Sequence, residues 1–281
     1  MPRWRSARAT LLWLAILLVT RNVSAEPVNV SFSEVLDLPQ VQPDQSYPYG
    51  SLPLQTGELY LPVAKGNVRL VLLIHGGCWL NQFGLDHVRP LAGALQQRGM
   101  AVWSIEYRRI GDEGGGYPGT FNDIQAAANA LPALKAELTS NGFQPTKTIV
   151  VGHSAGGHLA LWIAATSKLF DEVIGLAAIT DLAEYAAGQS SCQQAAKQLM
   201  GPQASEADYH KVSPTQLPYP NVNVNLLAGG NDAIVGGDQV NAFQRKHPAT
   251  AIEILEQAGH FDFIHPDTAA VQALINILTD D

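Results

Sequence analysis

Three residues of this chain have the types that nucleophilic hydrolysis needs, and each stands in a loop after an apolar run. Ser154 lies in "GHSAG" (152–156), between Gly152 and Gly156 and directly after the run Thr148–Val151. A serine hydroxyl is a weak nucleophile unless a base stands beside it. A tight strand-to-helix turn lifts the hydroxyl above a sheet, and flanking glycines relieve the clashes such a turn creates. The helix that follows aims its positive amino end at any negative charge that develops there. A base and an orienting acid are then required later in the chain. Asp232 in "GGNDAIV" (229–235) and His260 in "AGHFDF" (258–263) each follow a predicted strand. His260 would take the serine proton and return it to the leaving group, while Asp232 fixes the imidazole tautomer. Asp238 and Asp262 compete for the acid role. The first falls near a helix start, where an acid serves as a cap, and the second is close to His260 in sequence. Asp232 is preferred.

A fourth loop, "HGGCW" (75–79), has the composition of an oxyanion site. A tetrahedral intermediate needs backbone N–H donors, and paired glycines free the chain to turn its amides inward. The expected donors are the main-chain N–H groups of Gly77, Cys78 and Ala155, with Cys78 serving through its amide rather than its thiol. The chain has two cysteines, Cys78 and Cys192. Two are too few for a disulfide-dependent scaffold, and their pairing stays open at this point.

Elements must carry these four loops to one place. Apolar runs without period-two alternation predict strands buried on both faces at Leu70–Ile74, Ala101–Ile105, Thr148–Val151, Val173–Ile179 and Val222–Leu227. Ala251–Leu255 alternates more and suits a sheet edge. Helical stretches lie between them: His87–Arg98, Phe121–Leu138, Gly156–Ser167, Gln239–Lys246 and Thr268–Leu278, with a kink or break expected at Pro132. This alternation predicts a mostly parallel α/β sheet with helices on both faces, whose ligands sit at the carboxyl ends of the strands. The proline-rich stretch Val28–Pro62 is expected to add an antiparallel edge. Asp181–Asn221 leaves room for a small cap, with Tyr185, Leu199, Met200, Tyr209 and Tyr219 available to line a pocket or simply to cover the sheet.

The amino terminus reads separately. Arg3, Arg5 and Arg8 precede the apolar run Leu11–Val19, and Val23-Ser24-Ala25 supplies small residues, so residues 1–25 are expected to be a cleaved export signal. An uncleaved anchor is the runner-up. That segment carries four arginines and no acid, so its removal takes the formal charge from −8 to −12. Such a charge opposes nucleic acid and anionic membranes. Residues 26–281 show no linker and no repeat and are read as one domain, exported to the periplasm or beyond, without stable membrane insertion. The glycines of "YRRIGDEGGGYPGTFND" (107–123) do not form a phosphate cradle, since no lysine follows and Asp112 and Glu113 oppose an anion. His153 and His158 flank the nucleophile, and His87, His210, His247 and His265 are scattered without metal-ligand spacing; these four are expected to be surface or hydrogen-bonded histidines.

The whole of residues 26–281 resembles the α/β-hydrolase fold. More narrowly, "HGGCW", "EYRRIGDEGGGYPGTFNDI" (106–124) and "GHSAGGHLA" (152–160) are similar to exported esterases near the hormone-sensitive-lipase-like group, to kynurenine formamidases and to bifunctional feruloyl and acetylxylan esterases. The resemblance implies a serine hydrolase with no cofactor and no metal, and a buried structural pair between Arg108 and Asp123. Cys78 departs from the pattern, standing where many relatives carry a third glycine. The expected substrate is a small ester with a short or aromatic acyl group. Hydrolysis of an N-formyl aromatic amine is the alternative, and a catalytically silent binding protein on the same fold is a third.

Overall fold

The strand-forming runs assemble because side chains buried on both faces of a sheet need no polar side. The computed structural model describes Met1 and residues 29–280, so the expected export signal and its cleavage point lie, Met1 apart, outside the described residues. Eight strands appear among them: β1 (Gln45–Ser46), β2 (Gly57–Tyr60), β3 (Gly66–Ile74), β4 (Ala101–Ile105), β5 (Phe143–His153), β6 (Glu172–Leu176), β7 (Asn223–Gly229) and β8 (Ala251–Leu255). They form one sheet in the order β1-β2-β4-β3-β5-β6-β7-β8. β2 pairs antiparallel with both β1 and β4, and every other pairing is parallel. The antiparallel edge expected within Val28–Pro62 is therefore present. β8 forms the opposite edge, as its alternation suggested.

The helices are α1 (Phe32–Leu36), α2 (Arg89–Gln97), α3 (Gly119–Ser140), α4 (Ala155–Thr166), α5 (Leu182–Ala186), α6 (Ser191–Met200), α7 (Glu206–Val212), α8 (Gly237–Lys246) and α9 (Ala269–Thr279). Alternate residues of β3 point into two cores. Leu70, Leu72 and Ile74 pack with α3, α4 and α8, whereas Val71 and Leu73 pack with α2 and α9. Each of the five is fully buried, and burial of such a side chain stabilises by about 1.5–3 kcal/mol. No described helix is long and apolar enough to cross a membrane.

Four expectations about elements change in ways that have physical causes. α3 runs unbroken through Pro132, which is exposed; on that face the carbonyl one turn back can turn to water. α2 begins at Arg89 rather than His87, because Pro90 is tolerated only in a first turn; a short 3₁₀ turn, Leu85–His87, precedes it. β6 stops at Leu176, since Ala177 adopts φ 46 while its N–H donates to the Leu227 carbonyl. β5 starts five residues before the apolar run, in a polar stretch containing Pro145 that pairs with β3.

The glycine-rich turn after β4 is fastened as the resemblance implied. Asp123, with its side chain fully buried, accepts from the Arg108 backbone N–H at 2.9 Å and from its guanidinium at 2.8 and 2.7 Å. Gln55 adds a fourth donor at 2.8 Å. Removing one partner of a buried pair strands the other's charge. Asp123→Ala is therefore expected to cost about 3–5 kcal/mol in denaturant unfolding. A loss below about 1 kcal/mol, the range of surface pairs, would show that the pair is not structural.

Candidate active site

β5 ends at His153 and α4 begins at Ala155, so the whole reversal falls on Ser154, at φ 56 and ψ −119. A non-glycine residue held there stores about 1–3 kcal/mol of strain. Two backbone bonds hold it: the Ser154 N–H donates to the Leu176 carbonyl at 2.8 Å, and the His158 N–H donates to the Ser154 carbonyl at 3.0 Å. The flanking glycines are needed for space. A Cβ on Gly152 would overlap the Gly156 carbonyl, and one on Gly156 would overlap the carbonyl oxygens of Ile74 and His75.

Asp232 follows β7 and His260 follows β8, at the same edge of the sheet as Ser154. His260 Nδ1–H donates to Asp232 Oδ2 at 2.7 Å. The other carboxylate oxygen accepts from the N–H groups of Ile234 and Val235 at 2.8 and 2.9 Å. The Asp232 side chain is fully buried and that of His260 nearly so. With its Nδ1 proton held by the carboxylate, His260 keeps Nε2 as the available base. His153 braces it from behind, donating from Nε2 to the His260 carbonyl at 2.9 Å. Burial holds the His153 pKa well below the usual histidine range, so that ring is a neutral donor. The competing acids lie elsewhere. Asp238 lies in the first turn of α8. Asp262 accepts from the N–H groups of Gly259 and Val30 at 3.0 and 3.2 Å, fastening the segment before α1.

Gly77 adopts φ 94, and Cys78 and Trp79 are also left-handed, at φ 52 and 58. Among the described residues, the N–H groups of Gly77, Cys78 and Ala155 donate to no protein acceptor. The reading of Cys78 as an amide donor alone is corrected here: its sulfur is bonded to Cys192 of α6. The turn that frees the Cys78 amide also directs its side chain to the cap, which spacing in sequence does not reveal. The bridge spans a separation of 114 residues. Cys192→Ser is thus expected to lower unfolding free energy by about 2–4 kcal/mol, as should reduction of the native protein. Equal denaturant midpoints with and without the bridge would contradict that.

The loop has a second anchor that sequence reasoning missed. His75 Nε2 pairs with Glu106 Oε1 at 2.8 Å, and Arg109 joins the other Glu106 oxygen at 3.1 Å. Arg109 also donates to the Phe83 carbonyl at 2.6 Å, and Tyr107 donates its hydroxyl proton to the His75 carbonyl at 2.9 Å. The charged pair in "EYRR" was the available signal.

Ser154 and His260 line a cavity of about 340 Å³. Phe32, Phe83 and Phe261 form an aromatic wall, with Phe32 centred 5.5 Å from Phe83 and 5.4 Å from Phe261. The cap contributes Ser190, Ser191 and Cys192. Tyr185, Leu199 and Met200 are instead buried in the core, and Tyr209 and Tyr219 pack against it. His87 also corrects an expectation: it is neither on the surface nor hydrogen-bonded, but buried at the cavity wall. Two larger hollows, of about 640 and 580 Å³, lie at the amino ends of strands and hold none of these groups. Ligands of such sheets sit at the carboxyl ends, which favours the smaller cavity.

Several known proteins are similar to this chain. A probable isoprenylcysteine alpha-carbonyl methylesterase of Oryza sativa subsp. japonica is 29% identical over 119 residues, 41% of this chain and 26% of that protein. Carboxylesterase NlhH of Mycobacterium tuberculosis is 33% identical over 108 residues, 38% of this chain and 32% of that protein. The matches thus span about a third or less of these curated relatives. Among solved structures, Thermogutta terrifontis esterase 2 phosphonylated by sarin superposes with TM-score 0.71 at 18% identity, covering 85% of this chain and 94% of that one. A truncated carbohydrate esterase from gut microbiota gives 0.70 at 19%, covering 85% and 96%. These likenesses establish a shared α/β-hydrolase fold. The match of residues 58–247 to the BD-FAE family extends over well more than half of the sequence, and the chain belongs to that family.

Proposed function

We propose that this protein is an exported serine carboxylic ester hydrolase acting on short-chain or aromatic esters. The reading rests above all on the 2.7 Å bond from His260 to buried Asp232, in the cavity that Ser154 lines from its strained turn. Relatives named as a carboxylesterase and a methylesterase support the ester class. Export rests on the arginines, apolar run and small residues before Glu26.

In this mechanism His260 Nε2 takes the Ser154 proton as the hydroxyl attacks the ester carbonyl. The N–H groups of Gly77, Cys78 and Ala155 stabilise the oxyanion, and Asp232 stabilises the imidazolium. His260 then protonates the leaving alcohol, and water repeats the sequence on the acyl-enzyme. No metal or cofactor enters. Hydrolysis of N-formyl aromatic amines is a second reading, favoured by the wall of Phe32, Phe83 and Phe261. Turnover of an aryl formamide against a phenyl ester separates the two.

The cavity size sets a limit on the acyl chain. Each added methylene contributes about 0.8 kcal/mol only while apolar surface remains to receive it, and about 340 Å³ must hold both sides of the ester. On p-nitrophenyl esters, kcat/KM is expected to peak between acetyl and butyryl and to fall by octanoyl. A steady climb to dodecanoyl would reveal a deep acyl channel and a lipase.

A further inference from the structure

We propose that His87 is a specificity-determining residue that accepts a hydrogen bond from a hydroxyl group on the ester substrate. The inference rests on the ester-hydrolase reading and adds to it the chemical class of the group bound.

His87 closes the short turn before α2 and is 2% exposed, yet it lines the same cavity as Ser154. Its ring is wedged between Phe32 and His75, with centroids 5.6 and 5.7 Å away. Nδ1 is sealed from solvent and has no hydrogen-bond partner. Nε2 makes no hydrogen bond within the described residues either. An acceptor on a ring that lines the cavity and bonds to no protein group is open to a donor from a ligand.

The neighbours of the ring decide which hydrogen bond it can offer. Nδ1 faces the Asp86 carboxylate at 3.7 Å, too long for a hydrogen bond but close enough to favour a proton on that nitrogen. The proton on Nδ1 leaves Nε2 with its lone pair, and because Nδ1 is sealed, Nε2 is the atom left to meet a ligand. Burial lowers the pKa of His87, so near neutral pH the ring stays an uncharged acceptor. It therefore suits a donor such as a hydroxyl and offers nothing to a carboxylate.

The other polar groups at the cavity are already accounted for. His153 spends Nε2 on the His260 carbonyl, and its Nδ1 is sealed. Gln82, Ser190 and Ser191 are exposed, where water satisfies them. Against the phenylalanine wall, His87 is the buried acceptor not used by the triad.

The test compares esters that differ by a hydroxyl. Methyl 3-(4-hydroxyphenyl)propionate is paired with methyl 3-phenylpropionate, and methyl 3-hydroxybutanoate with methyl butanoate. The 4-methoxyphenyl analogue keeps an oxygen but removes the donor. The native enzyme is expected to favour the hydroxyl member of at least one pair by about tenfold in kcat/KM, the size of one hydrogen bond. The methoxy analogue should not share that preference. In His87→Phe the ratio should collapse to about one whatever the absolute rates, and His87→Gln, which keeps an acceptor oxygen, should retain part of it. Parity in both pairs for the native enzyme, or a ratio that survives His87→Phe, overturns the assignment. An enzyme that turns over p-nitrophenyl acetate yet shows parity overturns the subsite alone. One that hydrolyses no ester overturns the ester reading and the subsite with it.

Discussion

Ser154→Ala is expected to lower kcat on p-nitrophenyl acetate by about 10⁴-fold or more while leaving the thermal midpoint close to native. The asymmetry follows from what the substitution removes. The strained turn at φ 56 is held by the Ser154 backbone N–H and carbonyl and by the small volumes of Gly152 and Gly156. None of these involves the hydroxyl. What disappears is the attacking oxygen, and with it the acyl-enzyme. A residue of activity from the oxyanion donors and binding should survive. Native-like kcat in a folded, uncontaminated variant would remove Ser154 from the mechanism.

The second large effect concerns the base and its orienting acid. His260→Ala should cost nearly as much as the serine variant, because groups that act as a unit do not contribute additively. Asp232→Asn should cost about 10³–10⁴-fold in kcat, and the structure gives the reason. Asp232 Oδ1 accepts from the N–H groups of Ile234 and Val235. An asparagine would keep its carbonyl oxygen there and present its NH₂ to His260. The imidazole would then accept at Nδ1 and carry its proton on Nε2, where it cannot act as a base. Asp262→Asn should leave kcat within a few-fold of native, since that carboxylate holds Gly259 and Val30 instead. If the loss fell on Asp262→Asn and spared Asp232→Asn, the two acids would exchange roles.

Much of this arrangement was legible in the sequence because its signals are local. The interior strands reveal themselves through unbroken apolar runs, and "GHSAG" carries both the proposed nucleophile and the glycines that its turn needs. The loops after β7 and β8 follow from strand order alone. What stayed hidden depends on distance in three dimensions. Phe32 comes from the short helix α1 and reaches the cavity from a segment that Asn29 and Asp262 help to fasten against the loop before His260. The Cys78–Cys192 bridge joins residues 114 apart and depends on a left-handed turn at a non-glycine residue. The cap tyrosines left two readings open for a simpler reason: aromatic side chains in a short segment serve a core as readily as a pocket. His87 looked like any isolated histidine until its burial was seen.

The central claim, that Ser154 is the covalent nucleophile, is tested most directly by trapping it. The protein is incubated with one equivalent of a p-nitrophenyl alkylphosphonate, followed by intact mass and peptide mapping. The account predicts one adduct per chain on the peptide holding Ser154, loss of esterase activity in step with labelling, and no adduct in Ser154→Ala. Inactivation with the adduct on another residue, or full activity in a protein quantitatively labelled at Ser154, would contradict it.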